Sequence, residues 1–574
     1  MNFIQNHLKL PDGKKGVKSI FIAILIIWFL INLIQSVTTD VIRDEAYYHF
    51  YSQNLSWGYF DHPPAVALMI KISSLLFNNE LSIRFITLLL QIITLSLIWK
   101  LIEDKNASKS DVLSFFGISA AVVMFVVYGF ITTPDSPLLL FTALFLLSYK
   151  RFLEKDGFVN CLLLTISMAA LIYSKYQGGL IILLVIISNP KLLLNYRFWL
   201  SGIAALLLLA PHIFWQLDND FPSLKYHTTG RSKPFKIGYF LEYLPNQLAN
   251  FNPFILGVIS YIIFKFKPEG DFRRGLYFII VGMILFFWGT TFRGHVEPQW
   301  TIAASIPMII LIYEFSRKSL KIQKYLRGFV YPSIILLLIF RVILTQDSLP
   351  IKLEFYNQQR WAQELKEIVG DRAVIFSDGY QRPSVYKFYA KSDAFTVNSI
   401  YYRQNQYDLY EYKNNFFDRD IAIVTDRYDS LSQAFPILDK DTIWLRFSNY
   451  LVLTSDIDII FKIPKHSIFS QSKEYVSKIS LVNKNERDIP FNDKNFPVSL
   501  HLVLIEKGKK YSVQAFFDKE ITGIKNRESI NCTIKFSIPE DIPSGTYNML
   551  FSLKTEPFRE GFNSKSEKVL IERR

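Results

Sequence analysis

The sequence predicts a polytopic α-helical membrane domain followed by two smaller soluble domains, an α/β unit and a β-sandwich. Three observations predict it. The first is the amount and placement of apolar residues. Of the 574 residues 50% are hydrophobic, and the mean hydropathy is +0.19. Through residue 345 long apolar runs alternate with short charged connections, the pattern of repeated membrane crossing. The second lies between residues 358 and 439, where WAQELKEIV, AVIFSD, PSVYKFYA and IAIVT read in turn as helix and strand, as in a small α/β unit. The third is a series of short strand-like runs from residue 440 onward: TIWLRF, YLVLT, IDIIFKI, KISLV, SLHLVLI, YSVQAFF, CTIKFSI, TYNMLFSL and KVLIE. Turn-forming stretches such as KNERD, EKGKK and PEDIPSG separate them, which argues a sandwich of immunoglobulin-like type. The expected domains are 1–345, 346–439 and 440–574.

About eleven spans are read in the first domain: 19–34, 81–102, 112–131, 137–149, 158–173, 179–188, 198–214, 253–266, 276–291, 303–313 and 329–344. The sixth and tenth are shorter than the roughly 20 residues a straight crossing needs. Flanking residues lengthen them, or one is re-entrant. The run after Lys18 is too long for a removed signal peptide, and no small-residue cleavage site follows it. Cys161 lies in an apolar run and Cys532 in the tail, so no disulfide framework is implied.

The net charge of +14 raises the question of nucleic acid. Most basic residues of the first domain lie in short loops, which fits a membrane orientation signal better. With the N-terminus inside, the loops carrying Lys9 to Lys18, Lys100 to Lys109, Lys150 to Lys155, Lys191 and Arg197, Lys265 to Arg274, and Arg317 to Arg327 are cytoplasmic. About 21 basic residues then face inward against about nine outward. The tail after Leu344 lies outside, together with five less ordinary segments: 44–64, TTPDSP around Asp135, SKYQGG around Lys175, the loop 216–252, and FRGHVEPQW around His295 and Glu297.

The stretch DEAYYHFYSQNLSWGYFDHPP (44–64) holds Asp44, Glu45, Asp61, His49 and His62 among dense aromatics. Tyr47 and Tyr51 are four apart, which predicts a short amphipathic helix on the membrane surface, with Trp57, Tyr59 and Phe60 at headgroup level. Asp44 and Glu45 read either as a solvated acidic pair or as a general base beside the membrane. Pro63 and Pro64 fix the direction of Asp61 and His62 and let a helix begin at Ala65. Asp135, between two prolines, is either a helix cap or a third acid on the same face. Lys175, Arg231, Arg293 and His295 are each headgroup anchors or, together, a site for an anionic lipid phosphate. Glu297 and Trp300 flank a proline in the same segment, and Trp300 also suits an interfacial belt.

A first span followed by a DE pair, an aromatic helix, YFDHPP and TPDSPL resembles the dolichyl-phosphate-mannose protein mannosyltransferases and their bacterial relatives, including the aminoarabinose lipid A transferases. The resemblance runs from residue 19 to 344 and is strongest before Pro137. It implies the C-type glycosyltransferase fold in a cell (inner) membrane, and a polyprenyl-phosphate sugar donor. The acceptor is a hydroxyl of a lipid, glycan or protein. It also implies Asp44 as catalytic base, with Asp61 and Asp135 lining the site and Lys175 in the family's lysine segment. His62 stands where some relatives carry a lysine. Glu45, Asp61 and His62 are expected to position acceptor or sugar, and Lys175, Arg231 and Arg293 to hold the leaving phosphate. No tight metal set is visible. A divalent ion on Asp44, Asp61 and Asp135 has no support in the spacing. Two rivals are a transporter or flippase of lipid-linked sugars and a membrane-anchored binding protein. The first favours mid-membrane charges and repeated halves, neither of which is evident. The second needs far fewer spans.

Overall fold

The computed structural model describes residues 14–346, 353–409, 411–425, 430–439, 441–464 and 467–573. Lys9, counted above among the inner cations, lies outside them. The chain divides into two compact units, Met1–Gln358 and Gln359–Arg574.

The first unit is helical. Its elements are α1 (Lys14–Thr38), α2 (Arg43–Gln53), α3 (Ala65–Ser74), α4 (Leu81–Ile102), α5 (Lys109–Ala121), α6 (Val123–Val127), α7 (Asp135–Glu154), α8 (Phe158–Ser174), α9 (Gln177–Ser188), α10 (Tyr196–Leu208), α11 (Ala210–Asp218), α12 (Ile237–Phe251), α13 (Pro253–Lys265), α14 (Gly270–Thr290), α15 (Ser305–Lys318) and α16 (Leu320–Ile343). Each of the eleven apolar runs falls on one or more of these helices. Among the described residues, five are long and apolar enough to cross a membrane: the helices starting at Lys15, Leu81, Asp135, Gly270 and Leu320. Two further pairs qualify together but are bent, α10–α11 by 45° and α12–α13 by 100°.

Burial separates core from rim. In α7 72% of the apolar window is enclosed, against 17% in α16. α7 packs on α4 and α8 and carries Leu138, Phe145 and Tyr149 into the main core. α15, the short tenth run, is wrapped on every side, with Ile306 and Met308 to Ile312 fully enclosed. A core helix need not match the bilayer thickness, which explains its length. Rim helices instead display isoleucine and leucine outward: Ile22, Ile26, Leu30 and Ile34 on α1, and Ile335, Leu336 and Ile339 on α16. Apolar exposure on this scale needs a lipid surround, and the chain is a multi-pass membrane protein.

The aromatic stretch departs from expectation. α2 forms, but it does not lie on a surface with one face free. Tyr47, Tyr48, Phe50, Tyr51, Tyr59 and Phe60 are all buried, and of the belt residues proposed above Trp57 alone is exposed, at 57%. The rings pack on one another instead. Tyr51 stacks on Tyr59 with centroids 4.2 Å apart, and Tyr47 meets Tyr51 edge-on at 4.6 Å. Aromatic pairs of this kind are worth about 0.5–1.5 kcal/mol beyond the area they bury.

In the second unit a helix α17 (Gln358–Val369) precedes β1 (Ala373–Ser377), α18 (Gln381–Ala390), β2 (Ala394–Val397), α19 (Gln406–Leu409), β3 (Ile421–Thr425), β4 (Gln433–Ile437) and β5 (Asp441–Ser448). The sheet order is β2-β1-β3-β5-β4, parallel around β1 and antiparallel from β3 onward. β5 lies beyond residue 439, so this sheet takes in a strand assigned above to the C-terminal domain. The run YLVLT forms no strand. Leu451, Val452 and Leu453 are buried, and Leu451 donates its N–H to Phe417 O in place of a ladder partner. After it come β6 (Ile457–Phe461), β7 (Ile468–Ser470), β8 (Glu474–Asn483), β9 (Ile489–Pro490), β10 (Val498–Glu506), β11 (Lys509–Phe517), β12 (Gly523–Ile524), β13 (Ser529–Ser537), β14 (Gly545–Thr555) and β15 (Glu567–Glu572). Eight of them form one sheet, ordered β6-β8-β13-β11-β10-β14-β15-β7. β11 pairs with β10 through Ala515, then with β13 at Phe516 and Phe517.

Candidate active site

The site is built around one buried arginine. Arg84 sits near the start of α4 and is fully enclosed together with Glu45. Its Nε and Nη2 donate to Glu45 Oε1 and Oε2 at 2.8 and 2.5 Å. Nη1 donates to the carbonyls of Ser36 and Thr39, and Nη2 to that of Asp40, each at 2.8 Å. Glu45 Oε1 also accepts from Thr132 N at 2.8 Å, and Oε2 from Ile42 N at 3.2 Å. A charge pair this deep is tolerable only when its remaining donors and acceptors are met, as they are here. The pair ties the end of α1, the start of α2, α4 and the segment before α7 into one block. Asp44, half-buried in the first turn of α2, is carried by that block. The sequence reading did not single out Arg84. The signal was present as an arginine inside an apolar run, a placement that demands a partner.

The other acids are also engaged. Asp61 is buried and accepts a short hydrogen bond from the Tyr51 hydroxyl. His62 packs edge-on against Tyr48 at 5.6 Å, and its carbonyl accepts from Tyr59 N, closing the turn before Pro63. Asp135 and Lys175 are paired with each other. Lys175 Nζ lies 2.7 Å from both carboxylate oxygens, and both side chains are about 5% exposed or less. The lysine's charge is therefore matched by a carboxylate.

Arg231, Arg293, His295 and Glu297 form a second group around a cleft of 360 Å³. Phe286, Phe287 and Trp300 form its apolar side. Arg231 lies 4.6 Å above the Trp300 ring and donates to Glu297 Oε1 at 2.8 Å. His295 Nε2 is 3.8 Å from Glu297 Oε2. Arg293 is exposed and donates to Thr228 O at 3.2 Å. Directly after Arg293 the chain turns at Gly294, with φ +151° and no room for a side chain. A Cβ there would stand 2.9 Å from Arg231 O.

His227 joins the two groups and was not anticipated. It lines the cleft, and its Nε2 is 3.1 Å from Asp61 O. Burial holds its imidazole below the usual histidine range, partly offset by the Asp61 carbonyl. Among the described residues no group of three or more His, Cys, Asp or Glu is arranged to hold a metal ion.

Comparison with known proteins bears on the fold and on residues 61–215. A family model described as dolichyl-phosphate-mannose-protein mannosyltransferase matches residues 61–215, from Asp61 through Asp135 and Lys175. Lipid A galacturonosyltransferase RgtD of Rhizobium johnstonii is 23% identical over 295 residues, covering 48% of this chain and 60% of that protein. The match thus spans less than two thirds of that relative. Crystal structures of ArnT from Cupriavidus metallidurans, apo and bound to undecaprenyl phosphate, superpose with TM-scores of 0.53 and 0.55 at 13% identity. Each covers 75% of this chain and 98% of the ArnT chain. The fold is that of an ArnT-like integral-membrane protein with a sheet-rich C-terminal region. Residues 61–215 are thus similar to the protein mannosyltransferase family, and the fold is similar to that of ArnT.

Proposed function

We propose that this protein is a membrane glycosyltransferase, moving a hexosyl or pentosyl group from a polyprenyl-phosphate donor to a hydroxyl of a lipid, glycan or protein. The observation that carries the reading is the adjacency, through His227, of a cationic cleft with an apolar wall and a buried set of acids. A polyprenyl phosphate has the matching halves, an anionic head and an apolar chain. The names of the relatives support the same chemistry: one is a galacturonosyltransferase, and one was crystallised with undecaprenyl phosphate.

In the step we propose, Asp44 accepts the proton of the acceptor hydroxyl as its oxygen attacks the anomeric carbon. The bond from that carbon to the phosphate oxygen breaks, and polyprenyl phosphate leaves with the electron pair. In-line displacement inverts the anomeric centre. Arg293 and Arg231 receive the phosphate charge, with His295 at the rim. Glu45 holds Asp44 through Arg84. Asp61, His62 and the Asp135–Lys175 pair shape the sugar and acceptor side. No step requires a metal. Incubating the purified protein with a panel of polyprenyl-phosphate sugars tests this. The reading requires acceptor-dependent release of polyprenyl phosphate from at least one donor, and sugar flipping without release would overturn it.

The same reading puts about eleven crossings in a cell (inner) membrane, the N-terminus in the cytoplasm and the tail outside. The inner basic bias supports this orientation. A topology reporter after Leu344 should be active outside and one at Lys105 or Lys321 inside; a cytoplasmic tail would contradict it. We also read three domains, the last a β-sandwich. The passage of β11 from one set of strands to another, and contact of Phe551 with Phe461 and Phe536 at 5.0 and 5.5 Å, support the sandwich.

A further inference from the structure

The second unit contains a cavity that sugar transfer does not use. It has a volume of 190 Å³ and lies at the carboxyl end of β2, bounded by α19 and the loops at 453–456 and 558–562. Drug-sized ligands occupy roughly 300–1,000 Å³. This space is of a size to suit a single small ring. The carboxyl ends of strands are where α/β sheets commonly receive ligands.

Its lining has unused polar capacity. Thr396 lines it and is fully buried, yet its Oγ1 has no hydrogen-bond partner. A buried hydroxyl without a partner is costly and points to a group that completes it. Asp408 is held by two bonds to one oxygen, from Asn405 N at 2.7 Å and Asn398 Nδ2 at 2.8 Å, which leaves Oδ1 available. The Gln404 amide is exposed at the same opening. The lining carries two acids, Asp408 and Asp456, and two bases, Lys413 and Arg559; Lys413 is paired with Asp456, and Arg559 lies over the Tyr401 ring. A balanced lining gives no net attraction to phosphate or to a cation. Phe562, 42% exposed, presents an apolar ring at the rim.

We infer that this cavity binds one neutral pyranose. The hydroxyls of such a ring would donate to Asp408 and exchange bonds with Thr396 and Gln404, while its C–H face covers Phe562. The site lies in the unit that holds none of the proposed catalytic residues, and the inference does not depend on the transfer reaction.

The test is saturation-transfer NMR on the full-length protein in nanodiscs, with methyl glucoside, mannoside and galactoside as probes and inorganic phosphate as competitor. At least one glycoside should show ring-proton transfer that phosphate does not displace. Asp408→Ala should weaken it by about tenfold, the worth of one charge-assisted hydrogen bond. Phe562→Ala alters an exposed ring and should also reduce it, with unchanged melting. Thr396→Val supplies an independent readout, since removing an unsatisfied buried hydroxyl should raise the melting temperature without ligand while weakening glycoside binding. Absence of transfer for all three glycosides, transfer indifferent to these substitutions, or displacement by phosphate would each overturn the inference.

Discussion

Replacing Arg84 by methionine should destabilise the membrane unit more than any single change at the cleft. The substitution leaves Glu45 charged, fully enclosed and without its counterion, and it strips donors from the carbonyls of Ser36, Thr39 and Asp40. Breaking a buried pair from one side typically costs ~3–5 kcal/mol. Scaled to a unit of this length, that is a fall of roughly 4–7 °C in melting temperature. The mechanism is specific enough to check with a cycle. Glu45→Gln keeps an acceptor for Thr132 N but removes the charge, so Arg84→Met with Glu45→Gln should be no less stable than Arg84→Met alone. The coupling should fall in the ~0.5–3 kcal/mol range of contacting residues. Melting of the four proteins in one detergent, followed by tryptophan fluorescence, measures it. Strictly additive losses, or an Arg84→Met protein that melts with the wild type, would refute the claim that this pair fixes the site.

Three further outcomes follow from the other contacts. Lys175→Ala should cost both stability and transfer, because it leaves Asp135 buried and uncompensated; adding Asp135→Asn should restore melting without restoring turnover, measured on the same preparations. Arg293→Ala should raise the donor KM with little change in melting, since the side chain is exposed, and Arg231→Lys should do the same through loss of the Trp300 stack and the Glu297 contact, as steady-state kinetics over a donor series will show. His227 is held below the usual histidine pKa, so the unfolded chain takes up its proton first as pH falls. The stability loss should begin near the ordinary value of about 6.5 and level off below the folded pKa; His227→Gln should flatten that part of the pH–melting profile.

The helices and the acids were legible in the sequence because both are local signals. Apolar runs mark helices whichever surface they face, although they could not tell the enclosed α15 from the lipid-facing α16. Asp44, Glu45, Asp61 and Asp135 stood out by their polar neighbours beside apolar runs. Pairing was not legible. Glu45 and Arg84 are 39 residues apart, Lys175 and Asp135 are 40, and His227 and Asp61 are 166. No periodicity reports such separations. Lys175 and Asp135 therefore read as two independent site residues when they are one neutral pair. The belt reading of Tyr59 and Phe60 failed for a related reason: composition gives the appetite of an aromatic ring for an interface, but not the neighbouring ring on which it packs. YLVLT has strand composition without a ladder partner, and a partner is a property of the fold.

Transfer by Asp44→Asn tests the account most directly. The change keeps the size of the side chain and leaves the Arg84–Glu45 block intact, so membrane insertion and melting should match the wild type. It removes the group assigned to accept the acceptor's proton, and turnover from a polyprenyl-phosphate sugar should fall by about 10²–10⁴-fold. Asp61→Asn, measured alongside, should lose less. An Asp44→Asn protein that transfers sugar at the wild-type rate, while Asp61→Asn or Asp135→Asn is inactive, would place the base elsewhere and contradict the account.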